Sequence, residues 1–172
     1  MTVLLDAAGI RQTLDRLAGE ILATFPSDCP IAIIGIRRRG DELARRLLQI
    51  LAARAPREIQ YGCLDITLYR DDLAEVGPAA VVRTTEIDFD VSGTYLVLVD
   101  DVIYTGRSIR AALAAIIDLG RPRAIKLAVL VDRGGRELPI QPDFVGITAR
   151  DDRRPITVQL TETDGRDEVT AA

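Results

Sequence analysis

The sequence predicts an α/β fold with a mostly parallel central sheet and helices on both faces. Three observations carry this. Short, almost wholly apolar runs recur along the chain, amphipathic segments of helical spacing alternate with them, and residues 95–132 read as one complete strand-helix-strand crossover.

Ile10, Leu14, Leu17 and Ile21 recur at helical spacing, and Phe25-Pro26 followed by Ser27 and Asp28 stops that helix. IAIIGI (31–36) is a buried strand. Leu43, Leu47, Ile50 and Leu51 mark a second helix that ends before Pro56, and IQYGCLDITLY (59–69) is β-branched and aromatic enough for a second strand. The polar stretch 70–80, with Gly77 and Pro78, reads as a long mobile loop, and VVRTTEIDFDV as a strand or hairpin arm. TYLVLVD is an apolar strand ending in Asp100-Asp101. Residues 106–119 place Ile109, Leu113, Ile116 and Ile117 on one helical face, with Gly120 as the stop and Pro122 beyond it. AIKLAVLVD is the next strand, DFVGI and PITVQL are short edge strands, and TDGRDEVTAA is a polar tail, from about residue 163, expected to fray.

The composition excludes several functions. With 172 residues, 48% of them hydrophobic, the chain is expected to form a single domain, 1–172. No basic region precedes an apolar run at the N-terminus, and no apolar stretch approaches the roughly 20 residues that span a bilayer, so a cytoplasmic protein is expected. Cys29 and Cys63 lack CxxC spacing and read as small buried hydrophobes. There is no histidine, which removes Ser-His-Asp and Cys-His nucleophiles, imidazole metal ligands and histidine bases together. Basic charge is arginine except for Lys126, which suits bidentate recognition of phosphate. A net charge of −4 denies the whole chain the basic excess of a typical nucleic-acid binder, leaving only a local basic face for that role.

The main candidate site joins two devices. Asp100 and Asp101 end an apolar strand, where open α/β sheets bind ligands and where carboxylates can accept hydrogen bonds from a ribose diol. Thr105, Gly106, Arg107 and Ser108 then open a helix, whose free N–H groups and dipole favour a phosphate. Such an acidic pair also fits a Walker B strand, but no GxxxxGK[ST] exists, the only lysine lies elsewhere, and there is no GxGxxG. A second candidate is Arg37-Arg38-Arg39-Gly40, which follows the first apolar strand and puts fixed positive charge at its end.

The segment VLVDDVIYTGRS (97–108) resembles the signature by which type I phosphoribosyltransferases bind 5-phosphoribosyl 1-pyrophosphate (PRPP): four hydrophobics, two acidics and a TG[R/T][ST] loop. LDITLYRDDL (64–73), DLGRPRAIKLAVLVDRG (118–134) and RELPIQPDFVG (136–146) are similar to one subfamily, the bifunctional pyrimidine operon attenuators with uracil phosphoribosyltransferase activity (PyrR), over about residues 5–165. The resemblance implies the type I phosphoribosyltransferase fold and the conversion of uracil and PRPP to UMP and pyrophosphate.

It further implies roles for residues. PRPP and UMP would lie on Asp100, Asp101, Val102, Tyr104, Thr105, Gly106, Arg107 and Ser108, and pyrophosphate on Arg37, Arg38, Arg39 and Gly40. Asp100, Asp101 and Arg39 would be catalytic. Tyr69, Arg70, Asp71 and Arg83 would belong to a flexible loop, and the backbone of Val131, Asp132 and Arg133 would read uracil. Mg²⁺ is implied as a cofactor bound mainly through PRPP, with no metal site from protein alone. Pyrimidine operon leader mRNA, bound in a UMP-dependent way, and a homodimer or higher homo-oligomer are implied as partners. The chain departs from the family at Arg38, where threonine is usual, at Gly19 and Gly135, where histidines are usual, and at Gln141 and Ile147, where basic residues are usual. The last four positions belong to the RNA-facing surface, and Arg121, Arg123, Arg133 and Arg136 are the basic residues left for a patch. Two competing readings are a non-catalytic UMP-sensing attenuator and a phosphoribosyltransferase for a different base.

Overall fold

A computed structural model describes residues 1–55, 58–149 and 154–172. Its main sheet has five parallel strands in the order β3-β2-β4-β5-β6: β2 Ile31–Ile36, β3 Ile59–Leu64, β4 Tyr95–Ile103, β5 Ala124–Asp132 and β6 Phe144–Thr148. Parallel neighbours need crossovers, and long helices supply two of the four. β2 to β3 runs through α2 (Gly40–Arg54), and β4 to β5 through α4 (Arg107–Leu119). Helix α1 (Ala7–Thr24) precedes β2, with Asp6 capping its start by accepting the Gly9 N–H at 2.7 Å. The route from β3 to β4 holds only short helical turns, so the third covering helix is α1 itself.

Strand periodicity splits the core into two layers. Ile31 and Ile33 of β2 with Val97 and Val99 of β4 face α1 and α2, whereas Ile34, Ile36, Leu96 and Leu98 face α4 through Ile109, Ala112 and Ile116. Each fully buried Ile or Leu contributes about 1.5–3 kcal/mol of transfer free energy, and both faces of this sheet are lined with them. The predicted mostly parallel sheet with helices on both faces is therefore the observed architecture.

Several expectations change. The predicted strand 59–69 ends at Leu64, and Thr67–Tyr69 is a 3₁₀ turn, because Asp65 accepts hydrogen bonds from the Thr67 N–H and hydroxyl at 3.0 and 2.6 Å and so turns the chain. The stretch 70–80 contains α3 (Leu73–Val76) and a 3₁₀ turn at 77–79 rather than unbroken loop, and the expected arm 81–91 is reduced to one antiparallel bridge, Cys63 to Glu86. Strand β4 runs past Asp100-Asp101 to Ile103. The polar tail does not fray: after β7 (Ile156–Gln159) and α5 (Thr161–Asp164), residues Glu168–Ala171 form β8, the middle strand of an antiparallel sheet ordered β1-β8-β7, with Thr2–Leu5 as β1. Val169 and Ala171 there are 0% exposed. Of the two cysteines, Cys63 is buried as expected and Cys29 is half-buried.

Candidate active site

The carboxyl ends of β2 and β4 meet over a cleft of about 390 Å³ lined by Arg37, Arg38, Arg39, Asp65, Thr67, Arg70, Asp100, Asp101, Val102 and Ser108. The fold thus brings the acidic pair, the arginine triplet and the start of α4 into one hollow. Close approach makes this arrangement: a Cβ on Gly40 would lie 2.6 Å from the Val99 carbonyl oxygen, so only glycine lets α2 begin this near β4.

Asp100 is buried and Asp101 half-buried. Burial, and then the neighbouring charge of Asp101, hold the Asp100 carboxyl well above the ordinary carboxylate range. Burial also raises Asp101, against the Val102 N–H that its carboxylate accepts at 2.8 Å and the positive charge of Arg39. Both carboxyls therefore carry unmet demand for hydrogen-bond donors or positive charge from a ligand.

Beyond β4 the chain turns through Tyr104, Thr105 and Gly106, and Gly106 adopts φ 92° at the start of α4, a conformation that favours glycine. The segment 134–140 presses on this turn from outside. Arg136 Nη1 donates to the Tyr104 carbonyl at 3.0 Å, and the N–H groups of Glu137 and Leu138 donate to the Thr105 carbonyl at 3.0 and 3.2 Å. In a trans peptide the carbonyl and the following N–H point in opposite directions, so the Thr105 and Gly106 N–H groups are turned away from that segment. They join the first free N–H groups of α4 to line a small hollow of about 200 Å³ formed by residues 102–109, a cradle suited to an anion.

The arginines divide their work. Arg37 is engaged inside the protein: Nε donates to the Thr84 carbonyl at 2.9 Å, Nη2 to Cys63 Sγ at 2.8 Å, and the guanidinium pairs with Asp41 and Glu86. Arg38 is exposed at the cleft mouth, and the Arg37–Arg38 peptide bond is cis. Arg39 is gripped by Asp164, through Nε at 3.1 Å and Nη2 at 3.0 Å. Arg70 pairs with Asp72, and Arg107 bridges Asp71 at 2.6 Å and Glu137 at 2.7 Å, which ties the segment over the cleft to the anion cradle. Tyr69 packs beneath that segment, its hydroxyl donating to Asp118 of α4 at 2.8 Å, and Arg83 enters through its backbone N–H on Asp65.

Val131 and Asp132 are 0% exposed, so neither side chain is presented to the cleft. The Asp132 carbonyl accepts from Ala149 and the Arg133 N–H donates to Ile103, so both are already used by the sheet edge. Arg136 is not part of a surface patch as the sequence suggested. Its five N–H groups meet Asp132, Tyr104, Gly134, Ile140 and Gln141 at 2.8–3.3 Å. Arg133 lies over the Tyr104 ring at 4.3 Å, and a Cβ on Gly135 would come within 2.2 Å of that ring, so Tyr104 fills the space a larger residue at 135 would need. Residues the sequence reading passed over are Asp164, Glu137 and Asp65. Asp164 and Glu137 act on arginines distant in sequence, and Asp65 joins its neighbour Thr67 to Arg83 across the intervening segment, which no local pattern signals.

Comparison with known proteins accords with this geometry. A family model described as phosphoribosyl transferase domain matches residues 2–163. Proteins named Bifunctional protein PyrR are similar over nearly the whole chain: that of Pelotomaculum thermopropionicum is 52% identical, covering 96% of this chain and 92% of its own, and that of Roseiflexus sp. is 53% identical, covering 94% and 89%. Among solved structures, a hypoxanthine-guanine phosphoribosyltransferase from Bacillus anthracis superposes with a TM-score of 0.76 at 15% identity, covering 100% of this chain and 98% of that one. Hypoxanthine phosphoribosyltransferase of Trypanosoma cruzi gives 0.71 at 16% identity, covering 99% and 95%. Among the described residues no helix is long and apolar enough to cross a membrane, and no group of three or more Cys, Asp or Glu could hold a metal ion.

Proposed function

The chain belongs to the phosphoribosyltransferase family and, within it, to the bifunctional PyrR proteins, and from that premise we propose that it transfers the phosphoribosyl group of PRPP to N1 of uracil, giving UMP and pyrophosphate. The observation that carries this is the adjacency of the Asp100-Asp101 cleft and the 105–108 cradle, two hollows that share Val102 and Ser108. The two carboxyls accept the ribose hydroxyls, and the N–H groups of 105–108 hold the 5′-phosphate. Arg38 and Arg39 stand at the pyrophosphate end and stabilise the charge that develops as it leaves an electron-poor ribosyl centre. Arg37 supports that loop from behind.

Mg²⁺ fits this donor set as an ion carried largely by the substrate's own phosphate oxygens, since the cleft's carboxylates, Asp65, Asp100 and Asp101, form no three-ligand cluster among the described residues. When bound it neutralises pyrophosphate charge. The segment 70–83, anchored at Tyr69 and tied to Arg107 through Asp71, closes over the ligand and excludes water. Uracil is read by backbone near the end of β5 through groups other than the Asp132 carbonyl and the Arg133 N–H, which the sheet edge holds.

The second part of the proposal is UMP-dependent binding of pyrimidine operon leader mRNA by a cytoplasmic homodimer or larger assembly. With no histidine in the chain and Arg136 committed inside the protein, phosphate contacts fall to exposed arginines such as Arg121 and Arg123. Isothermal titration with UMP and with PRPP plus Mg²⁺, followed by leader RNA, tests both parts. Nucleotide binding with UMP-responsive RNA binding is expected. Nucleotide binding alone leaves the enzyme and removes the attenuator, UMP binding without turnover leaves only the sensor, and failure of both PRPP and UMP to bind overturns the whole reading.

A further inference from the structure

The carboxyl-terminal segment reaches the pyrophosphate end of the cleft by way of α2. Arg39 and Arg46 lie seven residues apart on one face of α2 and its cap, and both are held by residues 160–168. Arg46 pairs with Glu162 at 2.5 Å and with Asp167 at 2.7 Å, while Arg39 pairs with Asp164. The two clasps differ. Arg46 is only 17% exposed and lines no part of the cleft, so its pairs fasten one element to another. Arg39 does line the cleft, is 30% exposed, and has Asp101 as a second negative neighbour.

Asp164 is itself well placed to hold something still. It accepts at 2.9 Å the N–H of Leu160, a residue that is 0% exposed, and its own side chain is 16% exposed. Its two oxygens take the Nε/Nη2 edge of Arg39, a fork-to-fork pair that fixes the plane of the guanidinium as well as its place. Among the described residues Nη1 has no hydrogen-bond partner, so the grip leaves a donor edge free at the cleft. We propose that Asp164 is a positioning residue for the reaction: it holds Arg39 with one edge aimed at the pyrophosphate of PRPP. The proposal rests on the reading given above, in which residues 37–40 face pyrophosphate, and adds a residue from the chain's far end to that site.

The test separates ligands by chemistry. UMP carries the 5′-phosphate, ribose and base but no pyrophosphate, so it reports on the site without its pyrophosphate end. Wild type, Asp164→Asn and Glu162→Gln are titrated with UMP, with PRPP plus Mg²⁺ and with inorganic pyrophosphate plus Mg²⁺. Asp164→Asn keeps an oxygen for the Leu160 N–H, and Glu162→Gln loosens the neighbouring clasp without touching Arg39. The expected result is about tenfold weaker PRPP and pyrophosphate binding in Asp164→Asn, or about 1.4 kcal/mol, with UMP affinity unchanged, and no selective loss in Glu162→Gln. In turnover the loss appears in KM for PRPP more than in kcat. Equal weakening of UMP and PRPP, the same selective loss in Glu162→Gln, or unchanged or tighter PRPP binding in Asp164→Asn overturns the proposal. Wild type that binds neither PRPP nor UMP instead overturns the function on which it rests.

Discussion

Asp100 is a carboxylic acid held where water barely reaches it, and that placement costs the empty protein stability. Its pKa is raised, so the folded chain keeps a proton that the unfolded chain gives up above about pH 4. Stability therefore falls as pH rises from that range through the raised value. Asp100→Asn removes the ionisation and is expected to raise Tm at pH 8 more than at pH 5, by about 2–4 °C for each kcal/mol relieved at this chain length. The same variant loses a charged acceptor for ribose, and its PRPP affinity is expected to fall about ten- to hundredfold. Thermal unfolding at the two pH values and titration with PRPP check both halves. An Asp100→Asn protein no more stable than wild type at pH 8 sinks the argument from burial. The acidic pair was legible in the sequence because it directly follows five apolar residues. Its burial was not, because that depends on β4 continuing to Ile103 between β2 and β5.

At the scale of elements, the anion cradle is held from outside by the segment 134–140, with Arg136 as its central strut. Arg136→Gln leaves several carbonyls with unmet demand and frees the Tyr104 carbonyl, so the peptide planes of residues 104–106 lose their fixed direction. The expected outcome is loss of UMP and PRPP affinity together, about tenfold each, by titration; a loss confined to one ligand contradicts it. This pattern contrasts with the selective loss expected for Asp164→Asn, so the pair maps the two ends of the site. The TGRS string and the helix after it were legible from residue types alone. The support was not, since the string RGGRELP (133–139) reads as a basic surface loop until its arginine is seen to find Asp132 and Tyr104.

For the whole molecule, the main departure from expectation is the fate of the two ends. The tail after residue 163 looks polar and unpatterned, yet β8 lies between β1 and β7, and Val169 reaches the same core layer as α1 and α2. Val169→Ala is expected to destabilise the protein by about 2 kcal/mol and to lower Tm by about 4–8 °C; a frayed tail would show no change in thermal unfolding. The sequence by itself determined the parallel α/β sheet, the two helical layers and the placing of the acidic pair and the TGRS turn at the end of β4, because periodicity and strand-end chemistry are written in neighbouring residues. Only the tertiary structure decided which arginines remain available, where the chain's end goes, and that Asp164 meets Arg39. Those outcomes depend on pairs such as Arg39 with Asp164 and Arg37 with Thr84, whose meeting is set by packing rather than by local pattern.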